Sequence, residues 1–404
     1  MSTTTDPQGG TFRLSMLLND TRYRSMTLQV IAAILLALAM GYLYSNVAEN
    51  LRAAGLNISF SFLGSSAGYD INQTLIDYNS QSSNLRAAIV GIINTLLVAV
   101  LACITATIFG VLAGVLRLSN NWLVSKVMSF YVEIFRNIPV LIWILIIYTI
   151  MTVSMPAPNA FRGETPTSSM FLDAVAFTNR GVYIPAPVWG PGSMAVVAVF
   201  ILSIIGIFGY RRYATKQLYE KGNLLPRFWP SVAIFVIPTL LAFFIMGSPI
   251  GLDYPALKGF NFKGGIQIGA PLIALWFALS IYTGAFIAEN VRAGIQAVSK
   301  GQTEAAGALG LRSGRIMSLV VLPQALRVII PPLISQYLNI TKNSSLAILV
   351  GYADITATLG GITLNQTGRA IECVLLLMLF YLTISLLISA FMNVYNNTMK
   401  LKER

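Results

Sequence analysis

Glu304 to Pro323 reads EAAGALGLRSGRIMSLVVLP, a polar segment that lies between two apolar runs of membrane-spanning length. Glutamate and the paired alanines favour a helix, whereas Gly307 and Gly310 favour a turn that ends it. Arg312 and Arg315 follow the turn, and the final proline favours the start of another helix. The pattern predicts a short helical hairpin held outside the bilayer.

The composition of the chain indicates a membrane protein. Hydrophobic residues make up 55% of its 404 residues and charged residues only 10%, which is too apolar for a soluble chain of this length. Runs of about 20 apolar residues match the thickness of a bilayer at the rise of an α-helix. Eight such runs are predicted to span it, at 25–44, 87–116, 127–153, 192–210, 230–247, 269–288, 328–350 and 370–395.

Two of these runs contain residues that interrupt a helix. The third contains Arg136 and Pro139, and the seventh contains Pro331, Pro332 and Lys342. Backbone groups freed by a break must bond to protein or water, because lipid offers no hydrogen-bonding partner. Both helices are therefore expected to be irregular and to face the protein interior.

Basic residues predict an orientation. If the N-terminus is cytoplasmic, 19 Lys and Arg residues fall inside and seven fall outside, in accord with the positive-inside rule. The inside segments are 13–24, 117–136, 211–227, 292–327 and 400–404. Both termini are therefore expected in the cytoplasm, with the first run retained as an anchor. We attribute the net charge of +12 to this topology and to anionic lipid, not to nucleic acid.

Several chemistries are excluded by the residue types that the chain lacks. It has no histidine, which removes the Ser-His-Asp class and His-ligated zinc, and we expect neither a catalytic residue nor a metal site. It contains no G-x-x-x-x-G-K-[ST] pattern for a bound nucleotide. Cys103 and Cys373 lie in apolar runs, where a thiol packs as a small hydrophobic group. We therefore expect no cofactor in this chain, and its energy source must lie elsewhere.

The stretch quoted first resembles the EAA loop of ABC-importer permeases, which reads E-A-A, three residues, G, nine residues, I, one residue, L-P. The match differs only by Val320 in place of isoleucine. In that family the loop is the socket of a separate ATPase. The plain alternative is an ordinary polar loop with a glycine turn. The residues that the resemblance assigns to ATPase coupling are Glu304, Ala305, Ala306, Gly310, Arg312, Arg315 and Pro323.

Three further stretches resemble polar amino-acid permeases. Asn94–Ser119 is similar to their first core helix, and Glu133–Ile142, EIFRNIPVLI, is similar to the entry of the second. Ala285–Ala306 is similar to the end of the third, although Ala293 precedes Gly294 where arginine is usual. The resemblance implies an all-α integral membrane protein with the type I permease fold of ABC importers and about eight transmembrane helices.

The expected organisation is a five-helix core with two additions, a layout that resembles the permeases of general L-amino-acid importers of Gram-negative inner membranes. Prolines throughout 154–191 exclude a regular helix there and favour a turn-rich external loop. The core comprises 87–153 and 269–395, and it includes the cytoplasmic coupling loop at 289–327. The remaining segments are 1–86 (tail, first span and external loop), 154–268 (external loop and inserted two-helix hairpin) and 396–404 (cytoplasmic tail).

Thr341–Gly351, TKNSSLAILVG, resembles the K-x-T-S-L-A signature of the same permeases, with Ser344 where threonine is more usual. Lys342 lies about 18 Å into its span at the helical rise, where a lysine is costly unless it is paired or hydrated. One interpretation is that four residues line a substrate pathway: Lys342, Asn343, Ser344 and Ser345. The other is structural: the lysine caps carbonyls at a helix break or pairs with Asp354, and the serines pack tightly.

Four more polar residues lie at membrane depth. Asn94 and Thr95 belong to the second run, and Gln336 and Asn339 share a face of the seventh. They either contact substrate or hydrogen-bond between helices, which is the commoner role of single polar residues in bundles.

Glu289 and Arg292 lie three residues apart at the inner end of the sixth run, so they can pair on one helix face. The pair is an inner gate, a link to the coupling helix, or an ion pair that caps the helix and anchors the span at the headgroups.

These features favour a permease subunit of an ATP-driven ABC importer that moves polar L-amino acids across a bacterial inner membrane by alternating access. Since a motor with two ATP sites needs two EAA loops, the expected partner is a second homologous permease or a copy of the same chain. The other expected partners are two ATPase subunits that use ATP and Mg²⁺, a periplasmic amino-acid-binding protein and membrane lipid. The alternative is an ion-gradient-driven transporter or channel, which would need buried carboxylates; the acids near membrane depth, Glu133, Glu289 and Glu372, all lie near span ends.

Overall fold

The computed structural model describes residues 21–53, 55, 58–163, 165–223 and 225–399. It divides into two compact units, Met1–Phe62 and Leu63–Arg404. In the first unit, helix α1 (Thr21–Ala53) is long and apolar enough to span a membrane from Arg24 onward. Its apolar side chains are exposed, as in a helix that faces lipid. The chain ends predicted as cytoplasmic tails, before residue 21 and after residue 399, lie outside the described residues.

Helices dominate the second unit. They are α2 (Asn84–Leu116), α3 (Trp122–Asn137), α4 (Val140–Thr149), α5 (Ser193–Lys221), α6 (Phe228–Ile245), α7 (Ala270–Gln296), α8 (Lys300–Ala308), α9 (Ser313–Ile316), α10 (Leu322–Asn343), α11 (Leu364–Thr367) and α12 (Ala370–Met399). In the described part of the chain, seven helices could span a membrane by length and composition, or eight if the bent pair α3–α4 counts as one span. This agrees with the predicted all-α fold of about eight spans.

The two spans expected to be irregular are irregular. The third bends by 104° between α3 and α4, where Ile138 is extended and Pro139 precedes the first residue of α4. Proline disfavours helical backbone in the residue before it, so the bend follows from the sequence. The seventh run, 328–350, does not break at Pro331 and Pro332, which lie inside the continuous helix α10, but it changes to a 3₁₀ segment at Ser344–Val350. A π-helical turn at Met317–Val321 precedes α10.

Helix α7 is the centre of the second unit, and it packs against α2, α3, α4 and α10. Its contact with α2 is close because Gly110 and Gly114 lie in the interface. A Cβ at Gly110 would lie 2.5 Å from Ile287 Cβ, and a Cβ at Gly114 would lie 2.7 Å from the Ala288 carbonyl oxygen. The G-x-x-x-G spacing therefore lets two backbones approach where larger residues would separate them.

Gly110→Ala is expected to lower the free energy of unfolding by about 1–3 kcal/mol, because the new methyl group must displace Ile287 or push the helices apart. Thermal unfolding of the detergent-solubilised protein measures the effect. The matched control is Gly209→Ala in α5, where an added Cβ meets nothing within 4 Å. Equal unfolding midpoints for the two variants would contradict this packing.

Among the described residues, seven short strands form outside the spans. β1 (Ala176–Thr178), β2 (Gly181–Ile184) and β7 (Ile266–Gly269) make an antiparallel sheet in the order β1-β2-β7. β3 (Ala186–Trp189) pairs with β4 (Ile250–Asp253), and β5 (Ala256–Lys258) pairs with β6 (Asn261–Lys263). The turn-rich loop predicted for 154–191 thus contains strands, two of which pair with partners beyond residue 249 that no local pattern reveals.

The strands identify one end of the unit. Because β7 leads directly into α7, the sheet lies at the N-terminal end of α7, whereas α8 follows its C-terminal end. We call these the sheet end and the α8 end. At the helical rise, the 27 residues of α7 place them about 40 Å apart.

Helix α5 is longer than predicted. The basic residues from Arg211 to Lys221, expected in a loop, continue the helix until Gly222, whose φ of 67° ends it. Most residues from Arg211 to Lys221 are good helix formers. Lys216 also forms an ion pair with Glu220, one helical turn further on, at 3.7 Å. Only the shorter segment that follows Gly222 connects α5 to α6.

Candidate functional site

Helices α8 and α9 form the hairpin predicted from Glu304–Pro323. Helix α8 ends at Ala308, and Gly310 has a left-handed φ of 78°. The Gly310 N–H bonds to the Gly307 carbonyl at 2.9 Å, and the Leu311 N–H bonds to the Ala306 carbonyl at 3.3 Å, which is the Schellman arrangement. A residue with a Cβ would pay about 1–2 kcal/mol for this conformation. The glycine of the motif therefore terminates the coupling helix.

The hairpin presents an exposed surface. Glu304 and Ala305 are exposed, while Ala306 is buried against the rest of the chain. Leu309, at the tip, is 82% exposed, and Arg312 and Arg315 beyond it are also exposed. Leucine is costly to leave in water, and arginine is favoured in protein interfaces. The tip therefore has the composition of a surface that a protein partner covers.

A groove of about 570 Å³ separates α8 from the start of α10. Ala305, Val320 and Pro323, which are far apart in the motif, all line it. Pro323 lies in the first turn of α10, where a missing N–H costs nothing. The spacing of the motif thus brings three of its residues to one depression at the α8 end, which explains the spacing in physical terms.

Glu289, near the C-terminal end of α7, contacts three arginines. It accepts hydrogen bonds from Arg117, which follows α2, and from Arg292 of α7 itself, while Arg136 of α3 lies 3.7 Å away. Arg117 also donates to Ser129 of α3 at 3.3 Å. The predicted pair Glu289–Arg292 forms, but it belongs to a network that ties α2, α3 and α7 together at the α8 end.

Glu289→Gln is expected to destabilise the protein by about 1–3 kcal/mol, because three guanidinium groups lose the carboxylate that neutralises them in a partly buried place. Added salt should reduce the loss by screening their repulsion. Unfolding midpoints at low and high salt measure both effects. Glu133→Gln, at an exposed position of α3, is the matched control; an equally large loss there would contradict the role given to Glu289.

Asn94 and Thr95 are fully buried on α2 and bond to backbone. The Asn94 amide donates to the carbonyls of Gln73 and Ala353 at 3.0 and 2.9 Å. The Thr95 hydroxyl accepts the Ile355 N–H at 3.1 Å and donates to the Gly91 carbonyl. Both residues therefore form hydrogen bonds within the protein, as the structural interpretation expects. These bonds join α2 to the loop before it and to the segment after α10.

The signature that follows α10 is also engaged locally. Ser344 is buried and donates to the Thr341 carbonyl, and Ser345 donates to the Lys342 carbonyl, each at 2.7 Å. Asp354 is buried and accepts the Ala357 N–H at 2.8 Å. The suggested ion pair between Lys342 and Asp354 is wrong for the residues that the structure describes, because the carboxylate caps the turn that follows it instead.

Helix α10 carries an exposed polar face. Ser335, Asn339 and Lys342 follow one another at i, i+4 and i+7 and are exposed, and Gln336 is half-buried beside them. Lys342 lies in the last turn of α10, where the helix dipole favours a cation, and it forms no ion pair among the described residues. Lipid is a poor neighbour for such a face, so water or another polypeptide must cover it.

A cavity of about 970 Å³ lies at the sheet end. Its walls come from the loop before α2, the end of α4, the sheet, the N-terminus of α7 and the segments around α11. Its polar lining residues include Asp70, Asn72, Gln73, Tyr148, Thr152, Asn179, Arg180, Gln267, Tyr352, Asn365 and Gln366. Asn94 lies behind this wall, because both carbonyls to which it donates belong to lining residues.

The loop before α2 has internal hydrogen bonds that fix its part of the cavity wall. The Tyr78 hydroxyl donates to the Tyr69 carbonyl at 2.8 Å, and the Gly68 N–H bonds to the Ser80 carbonyl at 2.9 Å. Burial raises the pKa of Tyr78 to about 12, so the hydroxyl keeps its proton and remains a donor at neutral pH. Asp70 therefore lies on an ordered loop.

Sequence reasoning missed this cavity and two of the arginines around Glu289. Its polar lining is scattered over five segments, and the only signal in the sequence was polarity next to the predicted span ends. Arg117 and Arg136 entered the sequence argument as topological charges. The sequence signal that could have paired these two arginines with Glu289 is that few other acids lie near the same end of the spans.

Residues 106–401 match the family described as binding-protein-dependent transport system inner membrane component. The chain belongs to this family. It is therefore a multi-pass membrane component of a transport system and not an enzyme, and the resemblance to ABC-importer permeases is confirmed.

Two relatives of this permease align along nearly its whole length. The chain is 52% identical to the glutamate/glutamine/aspartate/asparagine transport system permease protein BztB of Rhodobacter capsulatus, with all of both chains covered. It is 44% identical to the general L-amino acid transport system permease protein AapQ of Rhizobium johnstonii, over 98% of this chain and 96% of that one. The two additions to the core are therefore shared with these relatives.

Among solved structures, the crystal structure of an amino acid ABC transporter with histidines matches 78% of this permease and 94% of its own chain, with a TM-score of 0.45 and 20% identity.

Proposed function

We propose that this permease moves polar L-amino acids across the bacterial inner membrane and that the α8–α9 hairpin connects it to a separate ATPase. The observation that carries the proposal is the hairpin surface: an exposed leucine and two exposed arginines at the tip, beside a groove lined by motif residues. The ATPase would supply the sites for ATP and Mg²⁺. The substrates for which these relatives are named support polar L-amino acids as the transported class.

The chain order supports a mechanical role for the hairpin. Helix α8 follows α7 after a short connection, and α9 leads through the π-helical turn into α10. A force on the hairpin therefore acts on α7, the central helix, and on α10, which carries the polar face. The Glu289 network at the same end would hold α2, α3 and α7 together in one state and must rearrange if these helices separate. This is the inner-gate role that we propose for Glu289 and Arg292.

Glu304→Lys and Gly310→Pro are expected to abolish association with the ATPase and uptake. The first reverses an exposed charge on α8, and the second imposes a φ near −65° where the hairpin needs 78°. Co-purification of the ATPase and uptake of a radiolabelled amino acid measure the two effects. Glu220→Lys, at an exposed position of α5, is the matched charge reversal and should retain both. Normal uptake by both hairpin variants would overturn the coupling role.

We also propose that the polar face of α10 lines the substrate pathway against a second, homologous permease. Ser335, Asn339 and Lys342 need a polar environment at membrane depth, and their exposure in a single chain supports a partner that encloses them with water. Two permeases would also present the two hairpins that a motor with two ATP sites needs. In this arrangement Gln336, Asn339 and Lys342 face substrate, while Asn94, Thr95, Ser344 and Ser345 support the helices behind them.

Asn339→Cys, in a background without Cys103 and Cys373, is expected to react with a small charged thiol reagent in the assembled transporter, because water reaches the pathway. Leu382→Cys is the control: its side chain is 58% exposed on the apolar helix α12, and lipid should protect it. Labelling is followed by mass spectrometry. Equal protection of the two cysteines would mean that lipid or a dry interface covers the α10 face, which contradicts the pathway.

The proposed orientation places both termini and the α8 end in the cytoplasm and the sheet end in the periplasm. The distribution of Lys and Arg supports it. A periplasmic amino-acid-binding protein would then deliver substrate at the sheet end, above the cavity.

A further inference from the structure

We propose that the cavity at the sheet end is a receiving site for a free L-amino acid, in which Arg180 binds the α-carboxylate and Asp70 binds the α-ammonium group. The substrate class rests on the proposed function, whereas the site itself rests on the cavity. Its volume of about 970 Å³ lies within the range of small-molecule sites, about 300–1,000 Å³.

The carboxylate subsite combines two positive features. Gly269, Ala270 and Pro271 line the cavity, so the N-terminus of the long helix α7 faces it and favours an anion. Arg180 lines the same cavity, and its own carbonyl accepts the Ala270 N–H at 3.2 Å. This backbone bond fixes the arginine next to the helix N-terminus.

The Arg180 guanidinium has capacity for a ligand. Its Nη1 atom donates a hydrogen bond to the Phe260 carbonyl at 3.4 Å. The guanidinium forms no ion pair within the described ranges. A guanidinium has five N–H donors and binds carboxylates in a two-pronged geometry. The remaining donors can therefore bind an α-carboxylate while the bond to Phe260 holds the side chain in place.

Acceptors for the ammonium group come from the loop before α2 and from the turn that carries Arg180. Asp70 is exposed on the ordered loop before α2 and forms no ion pair in the described part of the chain. Asn179, next to Arg180, has a buried Oδ1 atom without a hydrogen-bond partner. An unpaired buried acceptor is costly, and rotation of the Asn179 amide toward the cavity would let an ammonium donor satisfy it. An unpaired acid and an unpaired arginine in one cavity match the two charges of an amino acid.

The rest of the lining suits varied polar side chains. Carboxamides of Asn72, Gln73, Gln267, Asn365 and Gln366 line the cavity. An amide offers both a donor and an acceptor, so it can bind a carboxylate, a carboxamide or a hydroxyl by rotation. Recognition would therefore be strict for the α-carbon groups and broad for the side chain.

The site depends on the two additions to the core. Asp70 belongs to the loop before α2, and Arg180 and Gln267 belong to the inserted segment with its strands. The additions therefore have a function in substrate handling, because they form a binding site at the sheet end that the substrate occupies before it reaches the polar face of α10.

The test measures binding to the complete transporter in lipid nanodiscs without its binding protein. The probes are radiolabelled L-glutamine, its analogue without the carboxylate (4-aminobutanamide) and its analogue without the amine (glutaramic acid). Arg180→Gln should weaken L-glutamine binding about tenfold, the value of one charged hydrogen-bonded contact, and should leave 4-aminobutanamide unchanged. Asp70→Asn should weaken L-glutamine similarly and leave glutaramic acid unchanged. Arg180→Lys should restore most of the L-glutamine affinity.

Asp77→Asn, in the same loop as Asp70, and Lys258→Gln, on β5, are matched controls outside the cavity lining and should bind like the unaltered transporter. The proposal is overturned if L-glutamine does not bind to the unaltered transporter, if neither variant changes its affinity, or if Arg180→Gln weakens L-glutamine and 4-aminobutanamide equally. Uptake driven by ATP is measured separately. Loss of ATP dependence with these binding patterns intact would contradict the proposed function and leave the site standing.

Discussion

The close approach of α2 to α7 at Gly110 and Gly114 is the constraint on which the rest of the unit depends, because it fixes the register of these two long core helices. At one end of that contact, Arg117 reaches Glu289. At the other end, a Cβ at Gly91 would lie 2.9 Å from the Asp354 carbonyl oxygen, and Asn94 bonds to the Ala353 carbonyl. A shift of α2 by one turn would break both sets of contacts at once.

The two ends of the α2–α7 contact differ in the kind of interaction that holds them. The α8 end is held by one carboxylate and its arginines, contacts that are strong but can be exchanged between partners. The sheet end is held by buried amide, hydroxyl and backbone hydrogen bonds, whose loss leaves unpaired groups. In a protein that changes shape, the α8 end is therefore the easier one to open.

Local sequence signals predicted the local features well. The Glu-Ala-Ala helix, its glycine terminator and the bend at Pro139 follow from residues within one turn of each feature. The strand pairing between 181–189 and 250–269 did not, because the inserted α5–α6 hairpin separates its partners along the chain. The roles of Asn94 and Asp354 were also beyond the sequence, since polarity at membrane depth does not reveal whether a side chain meets substrate or backbone. The cavity lining combines both difficulties.

The direct junction of β7 and α7 has a mechanical consequence. Strand β7 ends at Gly269, helix α7 begins at Ala270, and the Arg180 carbonyl clamps the first N–H of the helix. Because no linker residue separates them, the sheet and the central helix are directly coupled. The glycine contact with α2 holds the helix further along its length. A load placed on the sheet would therefore be carried along α7 to its far end, about 40 Å away.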